Sequence, residues 1–462
     1  MHASHSAPAA GEPTDAMAAL PDRLPRVEQR ATMPAGFRAG SLAAGIKASG
    51  KPDLMIVATA GTPAAAAAVF TTNQVVAAPV SLSRAHMHAT EIKGGGRFGW
   101  ADAVIATAGS ANAATGADGV ADQADVCNRL AAALGTRAER TLALSTGVIG
   151  VRLPVDRIGE GISRLVPELA TTDAALEGAA LAMMTTDTRH KVATAAVELP
   201  GPDGEPVTIR VSGIAKGVGM IHPRMATMLC LLLTDASVAP ATLHSVLSPI
   251  VQRTWNQLSV DGDTSTNDTV FLLASGASKV AVPAASREAA ALGGAVEAVA
   301  RSLARQQAAD GEGASTLITC QVTGAADDYD ARAIARSVVS SSLFKAAVHG
   351  RDPNWGRVAS AAGNTRLPDE DLLEAAGMHR SEARARAGRK PKMDLDRLRV
   401  GIAGTLVFSG TPLPFDRGAV AKAMDAPEVL IRLDMGVGGG TGEAFGCDLT
   451  EEYVIENAEY TT

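Results

Sequence analysis

The sequence predicts an α+β fold, with sheets and helices packed in layers and divided between two lobes. Three observations carry that expectation. At 462 residues the chain is too long for one ordinary hydrophobic core, so two or more lobes are needed. Hydrophobic residues make up 46% of it but aromatic ones only 3%, so the core must be built from small aliphatic side chains in close layers, which suits sheets and helices better than a sparse bundle. Short apolar runs of strand length also alternate with longer segments of helical period.

Residues 1–32 mix Ala, Pro, Ser, His and Arg without periodicity and read as a flexible extension, with the fold beginning near Pro34. Residues 41–47 form a turn feeding a strand over 53–58. A second strand covers 66–70, although the alanine run 64–68 also suits a helix. A third strand, 102–107, opens into a loop of small polar residues over 108–116. A helix over 121–134 ends at Gly135, and a buried strand over 142–144 runs into Ser145-Thr-Gly-Val-Ile-Gly150. Helices over 154–165 and 174–184 follow. The second stops at Thr185-Thr-Asp-Thr188, where capping is the commoner use of such residues.

A strand over 207–211 leads to Gly213, Gly217 and Gly219, and a doubly buried strand is expected within 225–233. Next come a helix over 240–254, a hydroxyl-rich acidic turn over 259–269 without EF-hand spacing, and a long helix over 287–309. The turn at 310–314 then holds Glu312 between two glycines. The remainder reads as a strand over 316–322, a helix over 328–341, a polar loop over 349–358 with one buried-type aromatic, and a surface insertion over 367–398. It ends with a strand over 429–433, a glycine-rich stretch over 436–446 and a return to β pattern over 447–458.

Composition excludes several functions. The net charge is -7 and no basic run is interleaved with aromatics, which argues against a nucleic-acid partner. The basic cluster 380–392 contains Glu, Gly and Pro and reads as a solvated loop. Cys127, Cys230, Cys320 and Cys447 are spread along the chain without metal-ligand spacing, so neither zinc nor disulfides are expected and a reducing cytoplasm fits. No signal-peptide core or membrane-length apolar run is found, so no membrane association is expected.

The chemistry concentrates in Gly213-Ile-Ala-Lys-Gly-Val-Gly-Met-Ile-His-Pro-Arg-Met-Ala-Thr-Met-Leu229. Thr227 is the polar residue of an apolar run, and a core threonine bonded to backbone is the commoner use of such a position. The glycines before it let backbone amides approach another group. A threonine hydroxyl is a weak nucleophile without a base, and none stands at an obvious spacing except His222. Cutting the Ala226-Thr227 bond would supply one, because an α-amine titrates near pH ~7.7 to 8.0, beside its own hydroxyl. Ala226 is small and leaves the carbonyl open.

This segment resembles the self-cleavage segment of the ornithine acetyltransferase family, which includes the bifunctional glutamate N-acetyltransferases of arginine biosynthesis. Four further segments match: Ser145-Thr-Gly-Val-Ile-Gly150, Met184-Thr-Thr-Asp-Thr188, Ser259-Val-Asp-Gly-Asp-Thr-Ser-Thr-Asn-Asp-Thr269, and the ending from Gly446-Cys-Asp-Leu-Thr450 to Thr462. The resemblance implies a layered α/β/β/α self-processing fold, cut into one chain ending at Ala226 (33–226 of the fold) and another, 227–462, led by Thr227. It implies acetyl transfer from N-acetylornithine to glutamate, with acetyl-CoA as a further donor in bifunctional members, no cofactor and no metal. Two copies of each cleaved chain would associate. Thr227 would be the nucleophile and Thr146 with Gly147 the oxyanion-stabilising pair. Thr185 or Thr186, Lys216, Thr227, Glu312, Asn457 and Thr462 would contact the amino-acid substrate, Lys216 pairing its carboxylate and Glu312 its amine.

The chain departs from the family pattern at Thr107, Ser110, His190, Arg224 and Thr316. These departures put the substrate in question more than the reaction, and a paralogue acting on another acylated amino acid is the first alternative. Hydrolysis, as in self-processing aminopeptidases of the same fold, is the second. A non-catalytic scaffold, in which Thr227 is only a core residue, is the third.

Overall fold

The computed structural model describes Met17, Leu20 and residues 23–222 and 228–459. Among these residues a seven-stranded sheet runs in the order Val27–Glu28, Lys191–Pro200, Pro206–Lys216, Leu229–Thr234, Thr269–Ala274, Ala64–Phe70, Phe98–Ala101. Leu229–Thr234 lies at its centre, antiparallel to Pro206–Lys216 with Leu229 opposite Lys216, and parallel to Thr269–Ala274. Leu229, Leu231 and Leu233 enter one core, while Cys230 and Leu232 enter the other. That is the period-two division of a strand buried on both faces.

The alanine run resolves in the same way. Ala64, Ala66 and Ala68 face one core and Ala65 and Ala67 the other, an alternation no helix gives. Its small side chains also let the Pro240–Arg253 helix lie close across the strand.

A second sheet, of four strands among the described residues, is ordered Phe37–Leu42, Leu54–Thr59, Ala103–Ser110, Thr141–Val148, the last pair parallel. The two sheets share a core in which Met55, Val57 and Leu144 join Leu231 and Phe271. The helices Ala78–Thr90 and Asp173–Met183 add Met87 and Leu176 to it. Outside the second sheet, Gly116–Leu134 and Val155–Leu165 cover Ile56 and Ile105 with Leu130 and Ile162. Outside the first, Pro240–Arg253 and Arg287–Ala309 supply Leu247, Val296 and Leu303.

A third sheet forms the other lobe. It places Leu317–Ala325 between Gly440–Cys447 and Glu428–Asp434 and is backed by the helices Asp328–Val339 and Trp355–Gly363. The Arg287–Ala309 helix packs on strands of both lobes and joins them. Fold and layering are therefore α+β, as the sequence indicates. No helix among the described residues is long and apolar enough to cross a membrane.

Several local expectations change. The extension assigned to residues 1–32 includes an ordered edge, since Val27 and Glu28 pair with Ala195 and Thr194. Residues 37–42 are a strand, and the Ala78–Thr90 helix and the Lys191–Pro200 strand were not foreseen. The β pattern over 447–458 is instead a helix, Glu451–Glu459. The Thr450 hydroxyl accepts from the Tyr453 amide at 3.2 Å and Glu451 and Glu452 occupy the first turn, so an N-cap and the helix dipole outweigh the β preference of Tyr453, Val454 and Ile455. The polar loop 349–358 contains the start of the Trp355–Gly363 helix, and half-buried Trp355 stacks on Phe408 at 4.7 Å. Within the 367–398 insertion, Leu373, Met378 and Ala383 form a small core of their own. The basic cluster is partly helical, and Arg386 is tied to Asp327 and Asp330.

Candidate active site

The site is built on a place where two backbones touch. Thr141–Val148 runs parallel to Ala103–Ser110, and the register slips between Gly109 and Ser110. Gly109 and Gly147 have φ of 129° and 125°. A Cβ on Gly147 would stand 2.4 Å from the Gly109 carbonyl carbon, so only glycine fits. Asn267 clamps the bulge, its Nδ2 donating to the carbonyls of Ala111 at 2.6 Å and Ser145 at 2.9 Å. Thr146, held between these constraints, accepts a 3.0 Å hydrogen bond at Oγ1 from Lys216 Nζ.

Lys216 ends its strand and is buried. Burial pushes its ammonium below the ordinary lysine value, Asp187 opposes this, Lys191 adds to the lowering, and Glu312 and Asp268 oppose it in turn. Asp187 is also buried. Burial works against its charge, but Lys216, Lys191 and the Gly217 amide, 2.9 Å from Oδ1, hold it below the ordinary carboxylate value. Lys191 has no solvent exposure, and its Nζ lies 2.5 Å from Asp187 Oδ1 and 2.5 Å from Asp310 Oδ2. Asp310 also accepts from the Thr188 amide and hydroxyl. A buried ammonium is tolerable here because two carboxylates and the Arg189 carbonyl surround it. The 185–188 segment therefore serves as an electrostatic keystone rather than a helix cap.

Two residues beyond Asp310, Glu312 is gripped at both oxygens. Oε1 accepts from Thr186 Oγ1 at 2.9 Å and Oε2 from Asn457 Nδ2 at 3.1 Å, while the Glu312 amide donates to the Val218 carbonyl at 3.0 Å. A Cβ on Gly219 would meet Oε2 at 2.1 Å, and one on Gly313 would meet the Tyr453 amide at 2.3 Å. The two glycines thus make room for the carboxylate and for the C-terminal helix. Thr450 fixes that helix with a 2.7 Å bond from its hydroxyl to the Gly313 carbonyl.

The structure brings together Thr146, Gly147, Thr186, Lys216, Glu312 and Asn457. Thr185 joins them through its amide, which donates to Asp187 Oδ2 at 3.0 Å. Ala226, Thr227, Arg224 and Thr462 lie outside the described residues. Met228, next after Thr227, is buried, and its carbonyl accepts from the Thr269 amide at 2.9 Å.

Four departures from the family pattern have local explanations. His190 turns to Glu177, at 3.1 Å, on the Asp173–Met183 helix. Thr107 bonds Ser145 at 2.9 Å, Ser110 donates to the Val151 carbonyl at 2.7 Å, and the Thr316 amide donates to Asp448.

Sequence reasoning missed Lys191 and Asp310 as site elements, and it also missed Lys47. Buried Asp53 accepts from the amides of Ala44, Ile46 and Lys47 and so shapes the loop carrying Lys47. Burial lowers the Lys47 ammonium to about 8, with Asp53 opposing and Lys216 adding to the shift. A lone aspartate closing a turn was the available signal. No group of His, Cys, Asp and Glu that could hold a metal ion occurs among the described residues.

The family profile described as the ArgJ family matches residues 38–462. A Synechococcus protein named arginine biosynthesis bifunctional protein ArgJ is 43% identical over 441 residues, covering 93% of this chain and 97% of its own. A protein of the same name from Thermus thermophilus is 43% identical over 431 residues, covering 93% and 99%. Among solved structures, an ornithine acetyltransferase from Mycobacterium tuberculosis complexed with ornithine is 40% identical over 44% of this chain and 99% of its own, with a TM-score of 0.37. With the profile spanning nearly the whole chain and relatives this similar along their full length, the chain belongs to the ArgJ family.

Proposed function

We propose that the chain is an acetyltransferase of arginine biosynthesis that moves an acetyl group from N-acetylornithine to glutamate through an ester on Thr227, after cutting itself between Ala226 and Thr227. Family membership and the names of its relatives support the reaction class. The observation that carries the mechanism is the 3.0 Å bond from Lys216 to Thr146. A hydroxyl that accepts from an ammonium spends a lone pair and keeps its own proton free to donate. Thr146 is thereby primed to bond a developing oxyanion, with the Gly147 amide as second donor.

In the first half-reaction the Thr227 amine takes the proton of its own hydroxyl, and the oxygen attacks the acetyl carbonyl of the donor. As the tetrahedral intermediate collapses, the same amine returns the proton to the departing ornithine nitrogen and the acetyl ester remains. In the second, the glutamate amine attacks the ester, a proton passes back to the Thr227 oxygen, and N-acetylglutamate leaves. Lys216 and Glu312 supply one cation and one anion that sense each other's charge, a pair suited to the carboxylate and free amine of ornithine. The cytoplasm is the expected compartment, with two copies of each cleaved chain in the assembly.

Denaturing electrophoresis with intact mass, combined with a donor and acceptor assay, tests this. The wild type is expected as two pieces, the second beginning Thr227-Met-Leu-Cys230, with acetyl transfer to glutamate. Thr227→Ala is expected as one piece without transfer, and Thr227→Ser keeps part of both activities. Release of free acetate in place of N-acetylglutamate would assign hydrolysis instead. Transfer by the alanine variant at a tenth of the normal rate would place the nucleophile elsewhere.

A further inference from the structure

The acidic, hydroxyl-rich turn over 259–269 takes no part in the transfer steps written above, yet it holds the site from two sides. At one end Asn267 clamps the glycine bulge that presents Thr146 and Gly147, through the carbonyls of Ala111 and Ser145. At the other end half-buried Asp261 reaches across 40 residues of sequence: its Oδ1 accepts from the Ile221 amide at 2.8 Å as well as from the Asp263 amide at 3.0 Å. An aspartate that only closes its own turn needs the second bond alone. The first ties the turn to the segment leading to the cut, and neighbouring bonds reinforce the tie. The Val260 amide donates to the Ile221 carbonyl at 2.6 Å, the Thr264 hydroxyl to the His222 carbonyl at 3.1 Å, and Ser259 shares a 3.0 Å hydrogen bond with His222 Nδ1. Buried Lys345 donates to the Val260 carbonyl and so anchors the turn in its own place. Burial pushes the Asp261 carboxyl above the ordinary carboxylate value, and the amides of Asp263, Ile221 and Met220 oppose that shift.

Met220 is what this grip constrains. Its φ is 52°, in the left-handed region that an L side chain enters at a steric cost. Just before it, Gly219 is packed so closely on Glu312 that a Cβ would meet Oε2 at 2.1 Å, and the Val218 carbonyl accepts from the Glu312 amide at 3.0 Å. The chain therefore turns at Met220 between two fixed points, and the direction in which it leaves is set there. We infer that Asp261 is the positioning residue of self-cleavage: by holding Met220 and Ile221 in this turn it delivers the following chain so that the Ala226 carbonyl meets the Thr227 hydroxyl. The inference rests on the cut proposed above. In that step the Thr227 oxygen bonds to the Ala226 carbonyl carbon, the carbon–nitrogen bond breaks, and the hydroxyl proton passes to the freed amine. Water then hydrolyses the ester, leaving a carboxylate on Ala226. After the cut the strand Leu229–Thr234 carries Thr227, so transfer no longer depends on the turn at Met220.

Pulse-chase of the full chain in cell-free translation, resolved on denaturing gels, measures the cleavage rate, and transfer per cleaved molecule is measured on material left to mature. A displacement of about 1 Å costs on the order of a hundredfold in rate. Asp261→Ala should therefore cleave about a hundredfold more slowly than the wild type, and Asp261→Asn, which keeps the volume and guards against misfolding, about tenfold more slowly. The kcat of matured Asp261→Asn should stay within about threefold of the wild type, since its reacting groups are unmoved. Met220→Gly, which adopts the left-handed turn without strain, should return part of the lost cleavage rate to Asp261→Ala, a rescue that a general loss of stability would not give. Cleavage of both Asp261 variants at the wild-type rate overturns the assignment, as does a loss of kcat as large as the loss of cleavage, or a glycine at 220 that restores nothing. A wild-type chain that stays whole would overturn the cut and this role together, whereas a wild type that cuts beside Asp261 variants that cut equally fast refutes the role alone.

Discussion

Replacing Lys191 by Met removes one buried charge and keeps most of the side-chain volume. Lys191 Nζ touches Asp187 and Asp310 at 2.5 Å each, so the two carboxylate oxygens stand no more than twice that distance apart. At an effective dielectric of about 20, two negative charges at ~5 Å repel by about 3 kcal/mol. This agrees with the ~3–5 kcal/mol cost of removing one partner of a buried pair. The repulsion would raise the pKa of one carboxyl in the variant. A raised folded-state pKa gives stability that is present at low pH and lost as pH climbs from the unfolded aspartate value, about 3.9, toward the folded one. In the wild type Asp187 is depressed instead, so its contribution persists above that value and fades only in acid. We therefore expect Lys191→Met to lower the stability of the uncleaved Thr227→Ala chain by about 3 kcal/mol at pH 8 and by distinctly less at pH 5. Urea unfolding followed by circular dichroism at the two pH values would measure it. A deficit under about 1 kcal/mol, or one indifferent to pH, would refute the keystone role of the triad.

Glu312→Gln keeps the hydrogen-bonding shape but deletes the charge; KM for N-acetylornithine should rise roughly 10- to 100-fold, the worth of a charged hydrogen bond, with cleavage on a gel unchanged. Lys47, lowered to about 8, is protonated at neutral pH and adds to the positive field at Lys216. KM for a carboxylate substrate should therefore rise between pH 7 and 9, and Lys47→Met should flatten that rise; an unchanged profile in the variant would remove Lys47 from the site. Deleting Thr461 and Thr462, or placing a tag after them, should raise KM several-fold and spare cleavage, because helix Glu451–Glu459 already carries Asn457 to Glu312. Unchanged kinetics in the tagged protein would mark the tail as an ordinary free end.

Where local chemistry decided the conformation, the sequence was a good guide. The helix Arg287–Ala309 coincides with its apolar period and is closed by the glycine turn that carries Glu312. The central strand could be read from its unbroken apolar run. The alanine strand was ambiguous because alanine favours helices, and only its place between two cores selects β. The triad could not be read because Asp187 and Lys191 are joined to Asp310 across 119 residues by folding alone. Thr186 and Thr185 were interchangeable on paper, and the turn geometry gives the side-chain contact with Glu312 to Thr186. His190, one of the departures from the family pattern, is half-buried and turned to Glu177 at 3.1 Å.

The order of the seven-stranded sheet bears on what self-cleavage does to the molecule. The strands on the two sides of the proposed cut are interleaved: Leu229–Thr234 and Thr269–Ala274 belong to the second piece but lie between Pro206–Lys216 and Ala64–Phe70 of the first. Backbone ladders on both flanks outlast the broken peptide bond, so the two pieces should purify as one particle and part only under denaturant. Once parted, they lack the tether that first brought the strands into register. Reassembly becomes a bimolecular event that weakens on dilution, whereas the uncut chain folds at a concentration-independent rate. The mature enzyme would thus persist chiefly through slow unfolding, and the Thr227→Ala chain should recover from urea at dilutions where the cleaved protein does not.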